Sequence, residues 1–576
     1  MNNNSINNSV FLRFDFTNEV EPVCFTEPVQ IITTNLPDEV PQCLQAIERA
    51  TSDGYYVAGY MSFELSYALF YPHLLKELKK PLLWFGVFSG KCEHLLQGEG
   101  DFSISKWTLT SDKERYETDL KHILKEIDQG TYSQINYTTM WQADFQGHPY
   151  AYYKELKHAQ QAHYAAFLQL PDEYIASLSP ELFFYRHKEQ IKVRPMKGTI
   201  HRGKTYEEDL ALKEWLQTSH KNRQENKLTT DLMVEELEEI ADHVQVTKPY
   251  MIEQYPTVYQ MTSEVEGTLH ETVTFSQLVN HLFPCTSIAG TPKKVTLKEI
   301  KALESFSRHV YCGAIGYITP DDEAIFNVPI RTLQFDKKEG LASYGAGGAI
   351  TKGSDIVEEY KEVLTKTGIL NKKYEAFELI ETLAIKEGQA LYDEEHLQRL
   401  IQSASYFNYP FDQAAFKQIV SQACQQYQSG YWRLRLTLNE AGCLDHTVTE
   451  ESVIKEAVVT FADEPIHRNN IYLYHKTTNR KIYQERKEQH PDVFDVLLMN
   501  ERHEVTEFTI GNLVIELDGK LYTPPVTSGL LAGTFRQYLL NAGQIEEKVL
   551  YKEDVLKAEK IWLINSVREW VKVSFH

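Results

Sequence analysis

The sequence contains no Cys-x-x-Cys pair, no long apolar run and no cluster rich in lysine and arginine. Its seven cysteines are scattered, which argues against a zinc site or a disulfide framework and favours reduced, mostly buried thiols. The longest apolar run, residues 82–88, has the length of a strand and is too short for a membrane helix. With no basic cluster and a net charge of −22, a nucleic-acid partner is not expected.

The amino terminus also lacks the features of a secretory signal. Residues 1–9 are polar and contain no charged segment followed by an apolar core, so we interpret them as a disordered leader. These absences together predict a cytoplasmic protein without membrane or nucleic-acid partners. A chain of 576 residues is too long for a single core and indicates two to four domains.

A polar segment at 367–374 separates two different sequence patterns, and we interpret it as a linker. We predict one domain over residues 10–366 and a second over 375–576. Within the first domain, 114–129 has the periodicity of an amphipathic helix, and 132–138 alternates like a strand whose inward face would carry Gln134.

Three more segments of the first domain have clear patterns. Residues 213–241 are strongly helical and rich in acidic side chains. Residues 310–318 and 324–335 are predicted to pair as a hairpin. Residues 344–350 form a glycine cluster, interpreted as a tight turn or as a loop whose N–H groups approach an anion.

Lys197 lies in the short stretch 194–199, where Pro195 and Gly198 fix the backbone. A lysine held in this way can act as an amine nucleophile if a neighbouring acid or a desolvated pocket manages its proton. Considered alone, a surface loop lysine is the alternative. Its sequence context decides between the two interpretations.

Nine short segments occur in one order along residues 10–366. They are Gln134; Ser179-Pro180-Glu181; Pro195-Met196-Lys197-Gly198-Thr199; Glu225-Asn226 before Asp231-Leu232; the turn at 287–293; the segment at 311–317; Ile330-Arg331-Thr332; the glycine cluster at 344–350; and Glu359-x-x-Glu362. Together they resemble chorismate-utilising enzymes of the anthranilate synthase component I type. The ordered set is specific although no single member is.

Two positions indicate which reaction of that family this domain resembles. Members that add water have a lysine base where this chain has Gln134, and a neutral amide does not activate water, so ammonia is the expected nucleophile. Anthranilate synthases have alanine where this chain has Lys197, whereas lysine there resembles aminodeoxychorismate synthase component I. Anthranilate or isochorismate synthesis remains the alternative.

The resemblance implies roles for individual residues. Lys197 would attack ring C2 and expel the 4-hydroxyl, with Glu181 as general acid and base at that hydroxyl. Three acids would hold Mg²⁺ and would raise the pKa of Lys197 unless the cation and substrate offset them; they are Glu225, Glu359 and Glu362. The residues expected to bind chorismate are Gln134, Thr199, Ser287, Arg331, Gly345, Gly347 and Gly348. Arg331 and the amides near Gly347 would clamp the enolpyruvyl carboxylate.

Three positions depart from the family pattern. Val234-Glu235-Glu236 stands where Arg-Asn-Asp is usual, Gln260 stands in place of a histidine, and Cys285-Thr286 replaces a small or glycine pair. No stretch resembles a Cys-His-Glu glutamine amidotransferase, so ammonia is expected from a separate amidotransferase subunit or from solution.

The second domain contains another ordered set of segments. They are the segments at 377–382, 396–400, 433–435, 475–480, 500–501, 505–512, 523–525, 529–536 and 565–566. This set is similar to fold-type IV, branched-chain-aminotransferase-like pyridoxal phosphate enzymes, and most of all to 4-amino-4-deoxychorismate lyases.

By that similarity, Lys476 would bind the cofactor covalently and move a proton, and Glu507 would pair with the pyridine nitrogen. Arg399 and the backbone amides at Thr534 and Phe535 would hold the phosphate. The family usually has an extra strand before residue 377, so the small lobe is expected to be shortened. A non-catalytic structural or partner-binding module is the alternative for this domain.

The two resemblances together predict an α+β first domain with large, mostly antiparallel sheets packed with helices. They predict an α/β second domain with the two lobes of class IV, D-amino-acid-aminotransferase-like enzymes. The expected function is bifunctional synthesis of the folate precursor 4-aminobenzoate, by amination of chorismate at C4 and then elimination of pyruvate. Mg²⁺ and pyridoxal 5′-phosphate are the expected cofactors, and a homodimer through the second domain is left open.

Overall fold

The structure is a computed structural model that describes residues 10–75, 78–92, 100–371 and 375–576. The leader predicted at 1–9 lies outside these residues, as does the end of the predicted linker, 372–374. Among the described residues no helix is both long enough and apolar enough to cross a bilayer.

The contacts within the chain separate it into two compact units. Unit 1 contains the described residues up to 201 together with those of 213–374, and unit 2 contains 202–212 together with those of 375–576. Unit 2 is therefore assembled from two separate stretches of sequence.

The described part of unit 1 contains twenty strands. They are β1 (Phe11–Asp15), β2 (Val23–Thr26), β3 (Gln30–Thr34), β4 (Tyr56–Met61), β5 (Leu83–Phe88), β6 (Phe102–Ile104), β7 (Thr108–Leu109), β8 (Gln134–Gly147), β9 (Tyr164–Gln169), β10 (Glu173–Ser179), β11 (Leu182–His187), β12 (Gln190–Val193), β13 (Met196–His201), β14 (Ala241–Gln254), β15 (Val258–Leu269), β16 (Gly290–Thr291), β17 (Ala314–Ile318), β18 (Glu323–Asn327), β19 (Thr332–Asp336) and β20 (Leu341–Thr351).

These strands form two large sheets. The first has the order β16-β8-β20-β19-β10-β9-β1-β2, with β6 and β7 also paired to β8. The second has the order β13-β15-β12-β11-β18-β17-β4-β5-β3, with β14 also paired to β15. Neighbouring strands in both sheets run antiparallel, as the sequence predicts.

Helices also occur along residues 10–371. They are Val40–Ser52, Leu65–Phe70, Lys113–Asp128, Pro149–Gln160, Tyr206–Thr218, His220–Glu238, Phe275–Leu282, Thr286–Ala289, Lys293–Leu303 and Ile356–Thr367, with 3-10 turns at Pro37–Glu39, Pro72–Leu74 and Gly368–Asn371. The predicted amphipathic helix is confirmed as Lys113–Asp128, which begins where the Asp112 carboxylate accepts the N–H of Arg115 at 2.7 Å.

An aromatic core lies between the two sheets of unit 1. Phe14 of β1 belongs to the first sheet and Tyr317 of β17 to the second, and their ring centroids are 5.3 Å apart. Every residue of β5 is buried, because both faces of that strand are covered. The core fixes the sheets face to face and so determines where their edge strands meet.

Two predictions for unit 1 are wrong in detail. The helix predicted at 213–241 is interrupted at Ser219, whose side chain caps the helix His220–Glu238, and β14 begins at Ala241. The strand predicted at 324–335 is two strands in different sheets, since Arg331 has φ +52° and the chain turns there. The hairpin itself is confirmed as β17 paired with β18.

The glycine cluster is not a loop. It lies inside β20, where Gly347 pairs with Thr138 of β8. A Cβ at Gly345 would come within 2.5 Å of the Tyr311 ring, and one at Gly347 would come within 2.2 Å of the Tyr137 carbonyl oxygen. These glycines therefore permit close packing within the sheet.

The expectation of reduced thiols is wrong for one pair. Cys24 and Cys92 form a disulfide, with their Cα atoms 5.3 Å apart although they lie 68 positions apart in the sequence. The N–H of Cys92 donates to the carbonyl of Cys24 at 2.8 Å, so backbone pairing brings them together. Cys285 and Cys312 are buried and free, as expected.

Residues 375–576 of unit 2 contain twelve strands and five α-helices, and residues 206–212 add the start of the helix Tyr206–Thr218. The strands are β21 (Leu379–Lys386), β22 (Gln389–Ala390), β23 (Tyr431–Leu438), β24 (Leu444–Glu450), β25 (Glu456–Phe461), β26 (Asp495–Met499), β27 (Val505–Phe508), β28 (Asn512–Leu517), β29 (Lys520–Thr523), β30 (Glu546–Glu547), β31 (Lys560–Asn565) and β32 (Glu569–Phe575). The helices are Asp393–Phe407, Gln413–Gln426, Lys481–Glu488, Thr534–Asn541 and Lys552–Lys557, with 3-10 turns at Ile471–Leu473 and Val526–Ser528.

The predicted two-lobed arrangement of unit 2 is confirmed. One lobe is an antiparallel sheet of order β22-β21-β23-β24. The other is a mixed sheet of order β27-β26-β25-β32-β31-β28-β29-β30, in which β25 runs parallel to β26 and β32.

Candidate active sites

Lys197 lies at a bulge in β13, at the edge of the second sheet of unit 1. Met196 pairs with Thr262 and Thr199 pairs with Gln260, so Lys197 and Gly198 together occupy the place opposite a single residue of β15. Gly198 has φ +97°, a left-handed conformation that glycine adopts without strain. A bulge of this kind redirects a side chain away from the regular alternation of the strand.

The charges around Lys197 come from elements that are distant in sequence. Burial lowers the pKa of Lys197 and outweighs the charge of Glu181, which acts in the opposite direction. Lys366 lowers the pKa further, while Glu225 and Glu362 raise it. The expectation that neighbouring acids raise this pKa overall is therefore wrong, because burial is the larger effect.

Glu181 lies in the connection between β10 and β11 and is 5% exposed. Burial raises its pKa to about 7, partly offset by the Ser287 hydroxyl, which donates to Oε1 at 2.8 Å. A carboxyl with this pKa can be protonated at neutral pH, as a general acid must be.

Ser287 is held by contacts from several elements. The Asn136 side chain donates to its carbonyl oxygen at 2.7 Å, and the buried Arg308 donates to the carbonyl of Ile288 at 3.3 Å. The Thr286 hydroxyl donates to Glu236 Oε1 at 2.5 Å. Thr286 and Glu236 belong to two of the departures from the family pattern. Their hydrogen bond shows that both departures lie next to Ser287.

The other expected substrate residues lie on different strands and connections of unit 1. Gln134 begins β8 and pairs with Thr291 of β16. Thr199 is exposed on β13 opposite Gln260, whose side-chain oxygen is buried and has no hydrogen-bond partner in the described part of the chain. Arg331 donates to Gln160 Oε1 at 2.9 Å, and its charge acts on Tyr255.

Gly348 lies where β20 meets the acidic helix Ile356–Thr367. A Cβ added at Gly348 would lie 3.4 Å from Glu359 Oε2 and 3.8 Å from Glu362 Oε1, so the strand passes directly beside both acids. Lys366 also reaches this place and donates to the carbonyl of Gly347 at 2.7 Å.

The three acids expected to hold Mg²⁺ do not form a cluster. Lys366 pairs with Glu362 at 2.7 Å, and the exposed Glu225 lies 3.9 Å from Lys221. Burial raises the pKa of Glu359. In the described ranges no three His, Cys, Asp or Glu side chains are close enough to bind one metal ion.

Sequence reasoning missed two residues near Lys197. Lys366 follows Glu362 by one helical turn, a spacing that is typical of an ion pair but does not indicate the position of Lys366 beside Gly347. Asn226 was noted only as part of a motif. It is fully buried, and its side chain donates to the carbonyl oxygen of Lys197 at 3.3 Å, so it fixes the backbone at the bulge.

Unit 2 contains a cavity of about 320 Å³ between its two lobes. Four of the residues expected at the cofactor line it, and they are Arg399, Lys476, Glu507 and Thr534. Phe535 follows Thr534 in the first turn of the helix Thr534–Asn541 and is buried. The structure therefore brings these five positions to one place in the fold.

Lys476 and Glu507 are oppositely charged groups that lie in the same cavity without an ion-pair partner among the described residues. Burial lowers the pKa of Lys476 to about 7, with Arg399 and Arg480 acting in the same direction. Burial raises the pKa of Glu507 to about 7, although the Tyr483 hydroxyl donates to Oε1 at 2.8 Å. Buried groups left in this state are typical of a site that binds a charged molecule.

Arg399 also lines this cavity. It donates two hydrogen bonds to Glu381, at 2.8 and 2.6 Å, which fix its guanidinium. Glu381 has its pKa lowered to about 2 because Arg399 and His396 outweigh the effect of burial. The Thr534 hydroxyl lies 3.3 Å from His396 at the start of its helix, a position where N–H groups and the helix dipole favour a phosphate.

Residues 202–212 complete unit 2 beside Lys476. Arg202 makes two hydrogen bonds to Asp209, at 2.7 and 2.6 Å, and its guanidinium lies 4.4 Å from the ring centroid of Tyr406. The Tyr406 ring also contacts His475, with centroids 4.3 Å apart. Burial lowers the pKa of His475 to about 4, so the imidazole is neutral at pH 7. This stack fixes the residue immediately before Lys476.

Replacing Arg202 by methionine is expected to destabilise unit 2, because it removes the guanidinium that balances the charge of the buried Asp209 carboxylate. Breaking a buried ion pair from one side costs roughly 3–5 kcal/mol. Thermal unfolding of the full chain measures the effect, and Asp209→Asn should partly rescue the variant by removing that negative charge. An unchanged unfolding temperature in Arg202→Met would contradict the importance of this pair.

Two family profiles match the chain, one for each part of the sequence. The profile of chorismate binding enzymes matches residues 14–372. The profile of amino-transferase class IV matches residues 378–574. The predicted resemblances of both parts are thereby confirmed.

Curated relatives match the first part of the chain. Aminodeoxychorismate synthase component 1 of Escherichia coli is 31% identical over 278 residues, which are 48% of this chain and 61% of that protein. Anthranilate synthase component 1 of Saccharolobus solfataricus is 30% identical over 265 residues, which are 46% of this chain and 62% of that protein. The chain thus spans about three fifths of the length of these relatives.

Solved structures support the fold of the first part. The menaquinone-specific isochorismate synthase of Escherichia coli has a TM-score of 0.53 at 16% identity, covering 64% of this chain and 91% of that one. Since the profile of residues 14–372 covers more than half of the sequence, this chain belongs to the family of chorismate binding enzymes, with an amino-transferase class IV domain following in the same polypeptide.

Proposed function

We propose that the chain makes 4-aminobenzoate in two steps. Unit 1 aminates chorismate at C4 with ammonia to give 4-amino-4-deoxychorismate, and unit 2 eliminates pyruvate from that product. The observation that carries the proposal is Lys197 at the bulge of β13, with its pKa lowered by burial and the charge of Glu181 acting on it. A lowered pKa favours the uncharged amine, which is the form that can act as a nucleophile.

In the first step the Lys197 amine attacks ring C2 of chorismate while Glu181 donates a proton to the departing 4-hydroxyl. Ammonia then adds at C4 and Lys197 leaves. The buried Glu181 suits this role because its pKa of about 7 lets it hold the proton before reaction and give it up during reaction. Arg331 would bind a substrate carboxylate as a planar two-pronged donor.

Carboxylates such as Glu225, Glu359 and Glu362 are of the ligand type that Mg²⁺ prefers. The arrangement of these carboxylates does not fit the ion, because Lys366 forms an ion pair with Glu362 and no cluster of three ligands forms in the described residues. The three acids are therefore proposed only as candidate ligands, and no step is assigned to the metal.

For the second step the class IV domain implies pyridoxal phosphate. Lys476 and Glu507, which line one cavity without an ion-pair partner among the described residues, fit that cofactor. When bound, the cofactor supplies an electron sink for bond cleavage beside the substrate amine. Lys476 would carry the proton between substrate positions, which a pKa of about 7 permits at neutral pH. Glu507 would keep the pyridine nitrogen protonated, and Arg399 with the amides at Thr534 and Phe535 would hold the phosphate.

Product analysis tests both steps. The full chain is incubated with chorismate, Mg²⁺ and ammonium chloride, with and without pyridoxal phosphate, and the products are separated chromatographically. We expect aminodeoxychorismate to accumulate without the cofactor, and 4-aminobenzoate with equimolar pyruvate to appear with it. Formation of anthranilate or isochorismate would contradict the first step. The same products with and without pyridoxal phosphate would contradict the second step. Adding a glutamine amidotransferase with glutamine in place of ammonium salt tests the proposed ammonia source.

Replacing Glu181 by glutamine tests its role through pH. The pKa of this carboxyl is about 7 in the folded chain against an ordinary 4.5, so the folded state binds a proton more tightly and stability falls as pH rises between those values. Glu181→Gln should therefore raise the free energy of unfolding by up to about 3 kcal/mol at pH 8 and leave it nearly unchanged at pH 4.5, as followed by thermal unfolding. Its amination rate should fall on the order of 10²-fold at pH 6.5.

The control for this variant is Ser287→Ala, which keeps the carboxyl but removes its hydrogen-bond donor. That change should raise the pKa of Glu181 further and shift the alkaline limb of the pH–rate profile upward. Full amination activity in Glu181→Gln at pH 6.5 would exclude Glu181 as the general acid.

A further inference from the structure

The unit 2 cavity has a second polar region that the proposed cofactor contacts do not use. It lies on one face of the sheet β22-β21-β23-β24 and consists of Thr382, Arg433, Arg435, Thr447 and Thr449, all of which line the cavity. We call this region the β23 face.

The strand alternation of β23 produces this face. Leu434 and Leu436 point into the core of the lobe and are fully buried, so Arg433 and Arg435 lie on the opposite side of the sheet. Residues two apart on a strand are separated by roughly 6–7 Å. The sequence thus places two guanidinium groups side by side at the edge of the cavity.

Pairing with the neighbouring strands adds hydroxyl groups to each arginine. Arg433 lies opposite Thr449, whose hydroxyl accepts from Nε at 3.2 Å. Arg435 lies opposite Thr447 on one side and Thr382 on the other. Each guanidinium therefore has at least one hydroxyl beside it that can donate to a bound anion.

The cavity is strongly cationic although the whole chain has a net charge of −22. The charged residues that line it are six basic ones and a single acid; they are Arg399, Arg433, Arg435, Lys476, Arg480, Arg568 and Glu507. The cofactor phosphate would be matched by Arg399, and Glu451 already pairs with Arg433 and Arg568, so the excess of positive charge lies with Arg435 and Arg480. An excess of this kind favours a ligand that brings further negative charge.

The arginines of the cavity differ in how many contacts they already make with other side chains. Arg568 donates to Glu451 at 3.0 Å, and Arg433 lies 3.5 Å from the same carboxylate. Arg480 stacks on Tyr483, with 4.7 Å to the ring centroid. Arg435 has no ion pair or side-chain hydrogen bond to any residue in the described ranges. It is the guanidinium most available to a ligand.

We propose that Arg433 and Arg435 bind the two carboxylates of a dicarboxylate amine whose amino group lies towards Lys476. The inference rests on the proposed function and names the residues that select its substrate. A guanidinium binds a carboxylate through two parallel N–H bonds, so two adjacent arginines recognise two carboxylates better than one.

The same arrangement explains how product would leave. Elimination of pyruvate removes one carboxylate with the departing fragment, and the aromatic amine that remains has only one. It can engage only one of the two arginines, so its affinity falls once the reaction is complete. The β23 face would thus bind substrate more tightly than product.

Calorimetry of the full-length, cofactor-loaded protein tests this inference with two probes that lack an amine and cannot react. Isophthalate carries two carboxylates and benzoate carries one. Arg433→Gln and Arg435→Gln should each weaken isophthalate binding at least tenfold, or about 1.4 kcal/mol. Benzoate binding should weaken less than threefold. Isophthalate that binds elsewhere in the chain does not affect the result, because the measured quantity is the difference in affinity between each variant and the parent protein.

Two further variants serve as controls. Lys560→Gln removes the same charge from an exposed residue of β31 outside the cavity and should leave isophthalate binding unchanged. Arg435→Lys keeps the charge but loses the two-pronged geometry and should give an intermediate affinity. The visible absorption of the bound cofactor, unchanged in all variants, would show that the cavity has kept its shape.

The outcomes separate this inference from the proposed function. A protein that binds the cofactor but shows the same isophthalate affinity in the double variant Arg433→Gln/Arg435→Gln would overturn the inference alone. An equal loss in Lys560→Gln would overturn it as well, since the effect would then be general charge. If the protein does not bind the cofactor but its isophthalate binding still depends on Arg435, the second reaction is contradicted and the dicarboxylate site is supported.

Discussion

Replacing Lys197 by alanine is expected to abolish amination of chorismate, with a loss on the order of 10³-fold or more in rate. The amine lies at a bulge beside Glu181, its pKa is lowered by burial, and the proposed reaction passes through a bond to it. Alanine keeps the strand but removes the nucleophile. The measurement is aminodeoxychorismate formation from chorismate and ammonium salt, followed by chromatography.

The control for this variant is Lys352→Ala, an exposed lysine whose side chain is 81% accessible and which lies 3.8 Å from Asp128. It removes the same charge from unit 1 and should leave the rate unchanged. Undiminished aminodeoxychorismate formation by Lys197→Ala would refute covalent catalysis. Mass spectrometry of the parent protein quenched during turnover, with an adduct on the peptide containing Lys197, would support it.

Replacing Lys476 by alanine is expected to stop pyruvate release while leaving the first reaction intact, so aminodeoxychorismate should accumulate. The variant should also lose the visible absorption band of the bound cofactor, because the amine that binds it is absent. The matched control is Lys520→Ala, an exposed lysine of β29 paired with Glu546 at 3.4 Å. A coloured, active Lys476→Ala protein would exclude this lysine from the site, and a colourless parent protein would favour a non-catalytic module.

The lowered pKa of Lys476 has a consequence for the cofactor-free chain. The folded state holds this amine with a pKa of about 7, whereas the unfolded chain holds it at an ordinary 10.5. Between these values the unfolded state binds more protons, so the free energy of unfolding rises with pH. Lys476→Met should therefore raise the unfolding temperature at pH 7 more than at pH 10, which differential scanning calorimetry can measure.

The motifs in the first domain allowed much of the candidate site to be predicted from sequence. Lys197 and Glu181 were identified from residue type and order, because a chemical role requires particular side chains at fixed places along the chain. Their surroundings were not predictable. The pKa of Lys197 depends on burial and on Lys366, and the pKa of Glu181 depends on Ser287, all brought near by the fold.

Errors in the predicted elements have a similar origin. The glycine cluster has the composition of a loop, yet it pairs with β8 as part of β20, where the Tyr311 ring and the backbone of β8 leave no space for a Cβ. The disulfide between Cys24 and Cys92 has no spacing signature, since two residues 68 positions apart meet only through strand pairing. Local propensity cannot contain this information.

Sequence by itself determined the family and the identities of Lys197, Glu181, Lys476 and Glu507, because side-chain chemistry is a local property. It also determined the alternation that places Arg433 and Arg435 on one face, because strand periodicity is local as well. Only the tertiary structure decided that residues 202–212 complete unit 2 and that Lys366 pairs with Glu362. It also lowered the pKa values of Lys197 and Lys476 and raised those of Glu181 and Glu507. Those features arise from burial and from charges distant in sequence, and their energies exist only once the chain has folded.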